Sequence, residues 1–184
     1  PPGTRVANTE TWNGSSWTEV NDLNTARRQL KGAGTQTSSL VFGGENTGSA
    51  YLALTESYNG TSWSEDGDLN TARYSMANAG ASNADALSSG GFDGGPTTAT
   101  EEWNAGLPVG AWSTGGSLNT AAQGNVGLGI KTATLSVSGF SGSPTFPAKN
   151  EQYNGTAWTE VGDVNTPRYV STGVGTTTSG LVAT

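Results

Sequence analysis

Four copies of one short pattern run through this chain, and they restrict its fold more than any other feature. An aromatic residue, an asparagine, usually a glycine and then a tryptophan recur as Trp12-Asn13-Gly14-Ser15-Ser16-Trp17, Tyr58-Asn59-Gly60-Thr61-Ser62-Trp63, Trp103-Asn104 leading to Trp112, and Tyr153-Asn154-Gly155-Thr156-Ala157-Trp158. The second aromatics stand 46, 49 and 46 residues apart. A second block keeps the same step: Leu23-Asn24-Thr25-Ala26-Arg27, Leu69-Asn70-Thr71-Ala72-Arg73, Leu118-Asn119-Thr120-Ala121-Ala122 and Val164-Asn165-Thr166-Pro167-Arg168. Two blocks in one register mark a repeat architecture, in which each unit buries its apolar face against its neighbours.

Between these blocks lie segments of small and β-branched residues that end in glycine: Leu40-Val41-Phe42-Gly43-Gly44, Ala86-Leu87-Ser88-Ser89-Gly90-Gly91, and a weaker form at Val137-Ser138-Gly139-Phe140. They read as strands closed by sharp turns. The Asn-Gly pairs at Asn13, Asn59 and Asn154 predict hairpins with two-residue primed turns, which need positive φ at both positions. Each unit is therefore expected to hold four strands. One follows the Asn-Thr-Ala-Arg block, one ends in Gly-Gly, one ends in the first aromatic and one starts at the second. With 28 glycines, 33% hydrophobic and 12% charged residues, the composition also points to an all-β chain.

The pattern resembles the kelch repeat, a unit of about 50 residues with a strand ending in Gly-Gly, then a Tyr, then a Trp. Gly43-Gly44 with Tyr58 and Trp63, and Gly90-Gly91 with Trp103 and Trp112, carry the likeness; the third unit departs from it, because Gly139 is followed by Phe140. The resemblance implies a kelch-like β-propeller of four-stranded antiparallel blades, about four of them, closed by pairing the N-terminal and C-terminal strands. Residues 1–184 would then form a single domain, with units at about 4–20 plus 169–184, 28–66, 74–114 and 122–161. The chain starts inside a third strand near Thr4-Arg5-Val6 and stops inside a second strand at Gly180-Leu181-Val182-Ala183-Thr184, so the two halves are complementary. A longer array, or closure through other copies, is the alternative.

Such small sheets have modest cores, and one large aromatic per unit matters. A buried Trp or Tyr removes roughly 150–250 Å² from water, which is on the order of 4–6 kcal/mol before entropy is subtracted. Trp17, Trp63, Trp112 and Trp158 are expected to wedge between neighbouring blades, with Trp12, Tyr58, Trp103 and Tyr153 completing the repeated core.

Cysteine and histidine are both absent, which removes disulfides, thiol nucleophiles, ordinary zinc and copper sites and the commonest general base. Catalysis and a cofactor are not expected. Glu10, Glu56, Glu101 and Glu151 each precede the first aromatic by two residues. Carboxylates can act as acid and base, but catalytic groups normally break a repeat's symmetry, so these read as structural or solvated positions. The turns Glu65-Asp66-Gly67-Asp68 and Phe92-Asp93-Gly94 offer oxygen ligands for calcium without the spacing of a known loop.

Candidate binding positions are Arg27, Arg73 and Arg168 on the crossovers, with Phe92, Asp93 and Phe140 on neighbouring loops. A competing reading pairs each Arg with the Asp five residues upstream, Asp22, Asp68 or Asp163. The loops Gly44–Tyr51, Gly91–Thr98 and Gly139–Lys149 share that face and are unlike one another, as recognition loops on a rigid scaffold should be. Tyr51, Tyr74, Phe92, Phe140 and Phe146 are candidate platforms for stacking sugars. With 15 acidic against 8 basic residues and a net charge of −7, nucleic acid is not an expected partner. No run is apolar and long enough to insert in a membrane.

The near-identical Asn-Gly-Thr-Ser-Trp repeats are similar to kelch-like proteins of marine bacteria and their phages, including virion and tail-associated attachment proteins. That likeness implies a non-enzymatic module, extracellular or on a virion. It would bind a glycan or protein surface through its loops, with other virion subunits as partners and oligomers as a further expectation. Two other readings stand beside it. One is an intracellular kelch-type scaffold for protein partners; the other is a sugar-acting hydrolase, which needs two carboxyl groups about 5–10 Å apart in one cleft.

Overall fold

The computed structural model describes residues 5–106, 109–142, 146–169 and 171–183, so Thr4 and Thr184, at the outer bounds of the expected terminal units, lie outside it. Sixteen strands and no helix occur among the described residues. The first two, β1 (Thr9–Trp12) and β2 (Trp17–Val20), form a two-stranded ribbon. Three four-stranded antiparallel sheets follow, each a simple meander. They comprise β3 (Lys31–Thr35), β4 (Ser38–Phe42), β5 (Thr55–Tyr58) and β6 (Trp63–Glu65), then β7 (Ala77–Ser82), β8 (Asp85–Ser89), β9 (Thr100–Asn104) and β10 (Ala111–Thr114), then β11 (Val126–Ile130), β12 (Ala133–Val137), β13 (Asn150–Tyr153) and β14 (Trp158–Val161). A second ribbon, β15 (Thr172–Gly175) with β16 (Gly180–Ala183), ends the described chain.

Successive sheets lie side by side. The first strands pack in order, β3 on β7, β7 on β11 and β11 on β15. The apolar core is accordingly divided into layers between neighbours rather than gathered in one place. Leu40, Phe42, Leu69, Met76, Ala86, Trp103 and Trp112 fill the first layer, Leu87, Leu118, Tyr153 and Trp158 the second, and Val126, Leu128 and Val137 with Val164 and Val182 the third.

The repeated aromatics build both the sheets and the layers. Trp12–Trp17, Tyr58–Trp63, Trp103–Trp112 and Tyr153–Trp158 are cross-strand partners with ring centroids 5.5, 4.9, 5.4 and 5.0 Å apart. Such pairs are the unit of sheet stabilisation. The second Trp of each full sheet also reaches back to the preceding one: the indole N–H of Trp63 donates to Thr9 Oγ1 (3.1 Å), that of Trp112 to Thr55 Oγ1 (2.9 Å) and that of Trp158 to Thr100 Oγ1 (3.0 Å). A buried indole must find an acceptor, and the same threonine position supplies it three times.

The first ribbon corrects the expectation of four equivalent wedges. Trp17 is 65% exposed and Trp12 45%, whereas Trp112 and Trp158 are 6% exposed. No sheet precedes β1–β2 among the described residues, so Trp17 has no threonine to reach and no apolar layer to enter. The closing ladder is also missing among the described residues: β1 pairs only with β2, and β16 only with β15. Each ribbon leans on its covalent neighbour instead, β1 through Trp63 and Gln36, whose side chain donates to the Trp12 carbonyl, and β15 through its contact with β11.

Two local expectations also change. The turns at Asn13, Asn59 and Asn154 are four-residue loops, in which only the glycine has positive φ (99°, 92° and 92°). The asparagine side chain accepts the amide hydrogens two and three residues ahead, an Asx turn that removes any need for positive φ at the Asn itself. In the third full sheet the glycine pair has not been displaced to Gly139-Phe140. Ser138 takes the first position at φ 53°, where Gly43 and Gly90 have 65° and 64°. A Cβ at Gly43 or Gly90 would lie 2.6 or 2.4 Å from the carbonyl oxygen of Arg73 or Ala122. Ser138 turns that crowding into a bond, its hydroxyl donating to the Arg168 carbonyl at 2.8 Å.

Candidate recognition face

One end of the array is built by the crossovers between sheets and by the loops that follow the glycine pairs. The repeated Asn of each crossover clamps the repeated Glu of the next sheet. Glu56 accepts from the backbone and side-chain nitrogens of Asn24 at 2.7 and 3.0 Å, Glu101 from those of Asn70 at 2.7 Å each, and Glu151 from those of Asn119 at 2.7 and 2.8 Å. The crossover arginines complete the clamp. Arg27 pairs with Glu56 at 3.0 Å, and Arg73 with Glu101. Where Ala122 replaces the arginine, the Thr120 amide donates to Glu151 at 2.8 Å.

These contacts settle where the sequence-derived positions lie. Glu56, Glu101 and Glu151 are buried structural anchors. Arg27 and Arg73 are 3% and 0% exposed and engaged, so they do not offer a ligand a free guanidinium. Burial pulls the Arg27 pKa down while Glu56 opposes it. The expected partners Asp22, Asp68 and Asp163 are not the ones used; Asp68 accepts from the Thr55 amide and Asp66 from that of Gly110. Arg168 differs from the other two: its guanidinium donates to the carbonyls of Thr166 (3.2 Å) and Val182 (3.0 Å) and meets no carboxylate among the described residues.

The backbone of this end repeats while its side chains do not. The residue after each crossover arginine position bridges the residue after each glycine pair: Arg28 with Glu45, Tyr74 with Phe92, and Gln123 with Phe140. The first of these is ionic. Glu45 holds Arg28 at 2.8 Å and Arg5 at 3.3 Å, and the hydrogen bond from Arg28 is the main reason its carboxyl lies below the ordinary carboxylate range.

The second bridge is aromatic. Tyr51, Tyr74 and Phe92 form a triad with centroids 5.2–5.7 Å apart. A second triad, Phe140, Phe146 and Tyr169, has centroids 5.6–5.9 Å apart, with Phe146 and Tyr169 stacked at 16°. Tyr51, Phe146 and Tyr169 are 36%, 44% and 38% exposed, and Phe92 and Phe140 are half-buried beneath them. Asp93 is exposed beside the first triad.

Three positions carry more than the sequence suggested. The threonine at 9, 55 and 100 was visible as a recurring Thr-Glu pair ahead of the first aromatic. Tyr169 follows Arg168 as Tyr74 follows Arg73, which marked it as a loop-face residue. Lys31 stands where Ala77, Val126 and Thr172 stand in the other first strands, since all four pair with the residue just before the glycine-pair position or its counterpart. Seeing that last equivalence requires the strand register.

Among solved structures, that of YjhT is similar in fold. The TM-score is 0.76 at 10% sequence identity, with 91% of this chain and 65% of YjhT covered, so this chain spans a little under two-thirds of that protein's length. No family model matches the chain, and no curated relative matches it.

Proposed function

We propose that this chain is a non-enzymatic recognition module of the kelch-propeller type, extracellular or part of a phage particle or tail, which binds glycan or protein through its loop face. The observation that carries this reading is the contrast on that face. Among positions that hold the sheets together the Asn and Glu recur in each unit and only the arginine is once replaced, by Ala122, whereas the bridged pairs are ionic, aromatic and mixed, and two of the three neighbourhoods present aromatic triads. Aromatic faces held by a rigid sheet supply contact area at small entropic cost and suit the apolar faces of sugar rings.

The ring in this proposal is completed where β1 meets β16. Glu10 is exposed and is not held by a crossover; Asn165 is exposed, and Arg168 has no carboxylate among the described residues. These are the two halves of the joint that Asn24 and Arg27 make with Glu56 and that Asn70 and Arg73 make with Glu101. Small-angle scattering from the monomer should fit a closed disc; an open arc overturns the closure.

A glycan array run at several salt concentrations tests the function. Binding should persist as salt rises, because stacking rather than charge carries it, and Tyr51→Ala with Phe146→Ala should remove it while leaving the unfolding midpoint nearly unchanged. A peptide-only partner would favour the scaffold reading. Slow consumption of a bound sugar would favour a hydrolase, although Glu56, Glu101 and Glu151 are already engaged by Asn and Arg.

A further inference from the structure

The first strands surround a cavity lined by one charged side chain that has no counterion among the described residues. Two adjoining spaces, of about 110 and 100 Å³, meet at Lys31 of β3 and at Ser171 just before β15. The remaining walls include Ser75 and Asn78 around the start of β7, and Gly127 of β11. A water occupies roughly 30 Å³ of liquid, and a cavity of about 150 Å³ accepts a benzene molecule, so either space has room for a group of several heavy atoms.

We propose that this cavity is a binding site for a small oxyanion, a carboxylate or a sulfate-like group, with the Lys31 ammonium as its charge and the Ser171 hydroxyl as a second donor. Four observations converge on it. Lys31 breaks the repeat where the other first strands carry Ala77, Val126 and Thr172, and functional residues are the ones expected to break symmetry.

Its Nζ makes no ion pair and no hydrogen bond among the described residues, unlike Lys149, which holds Glu160, and Lys131, which donates to the Trp103 carbonyl. Burial is what moves the Lys31 pKa, downward, with no carboxylate acting to raise it. Ser171 Oγ is buried in the same walls and also lacks a partner among the described residues. Buried hydroxyls are ordinarily paired, and an unpaired hydroxyl beside a half-buried ammonium on one cavity suits an acceptor that carries negative charge. The chain as a whole has net charge −7, so a lone cation lining this cavity is not a by-product of general basicity.

The inference is independent of what the aromatic face binds. It can be tested with acetate, sulfate and phosphate as separate probes, titrated into the whole chain at constant ionic strength while amide resonances are followed by NMR. Saturable shifts are expected at Ser171, Gly173 and Gly127, with acetate favoured if the site is shaped for a planar carboxylate and sulfate or phosphate if it takes a tetrahedral group. Lys31→Met should lower the affinity at least about tenfold, as loss of a charge-assisted hydrogen bond does, and Ser171→Ala should lower it less.

Lys31→Met should fold, because smaller neutral residues fill the equivalent places; unchanged amide dispersion checks this, and Lys31→Gln serves as the second variant. The proposal is overturned if no probe saturates below about 50 mM, if Lys31→Met binds as well as the parent, or if the shifts map outside the cavity.

Discussion

Trp112 and Trp17 hold the same place in the repeat, and the molecule treats them in opposite ways. Trp112 sits edge-on to Phe42 at 4.8 Å, donates its indole hydrogen to Thr55 and is 6% exposed. Trp17 keeps its cross-strand partner Trp12 but is 65% exposed. The same split divides Glu101, clamped by Asn70 and Arg73, from Glu10, which is exposed. Position in the repeat decides which residue the sequence carries, whereas burial is decided by whether a neighbouring sheet is present, as expected when stability resides in nearest-neighbour interfaces.

The sharpest way to break this comparison is truncation. Trp112→Ala should cost about 3–5 kcal/mol in urea unfolding, whereas Trp17→Ala should stay within about 1 kcal/mol for a ribbon left as exposed as this one. Similar losses for the two would mean that β1–β2 is packed against the far ribbon, as the proposed closure requires. The ionic version is smaller: Arg73→Met strands a buried carboxylate and should cost about 3 kcal/mol, the low end because Asn70 still donates two hydrogen bonds to Glu101. Glu10→Gln should move stability by no more than about 0.5 kcal/mol while its carboxylate stays exposed; a cost near that of Arg73→Met would mark the joint with Asn165 and Arg168 as made.

The mildest test uses alkaline pH. Tyr153 is pushed up to about 12, first by burial and then by donating its hydroxyl hydrogen to Glu102. Its protonated form therefore favours the folded state. That contribution should be complete below about pH 10, the tyrosine value in an unfolded chain, and should fade as pH rises through 12. A Tyr153 phenolate that titrates with its midpoint near pH 10, with no loss of stability between pH 10 and 12, would contradict the burial of this ring between sheets.

The order of strands within a unit was readable because Gly-Gly, the paired aromatics and the Asn-Thr block each mark a boundary. The partner of Arg27 was not. Asp22 is five residues away and invites a local pairing, yet Glu56 is 29 residues away and lies on the next sheet, where the sheet-to-sheet geometry brings it within 3.0 Å. Local chemistry also misled at Ser138. The third unit departs from the glycine pattern at Gly139-Phe140, but a hydroxyl that bonds the crowding carbonyl permits the same backbone. The aromatic triads were half visible: Tyr51, Tyr74, Phe92, Phe140 and Phe146 were identifiable as exposed-loop candidates, and only the packing of the loops gathered five of them with Tyr169 into two groups.

The joints between sheets all point one way along the chain. At three joints among the described residues an indole reaches backward to a threonine and an Asn reaches forward to a glutamate. The array is thus polar, with unlike ends. Two copies related by a two-fold axis would present identical ends to each other and could not form such a joint; assembly through it must be head to tail, giving a closed ring or a growing filament according to the rotation per step.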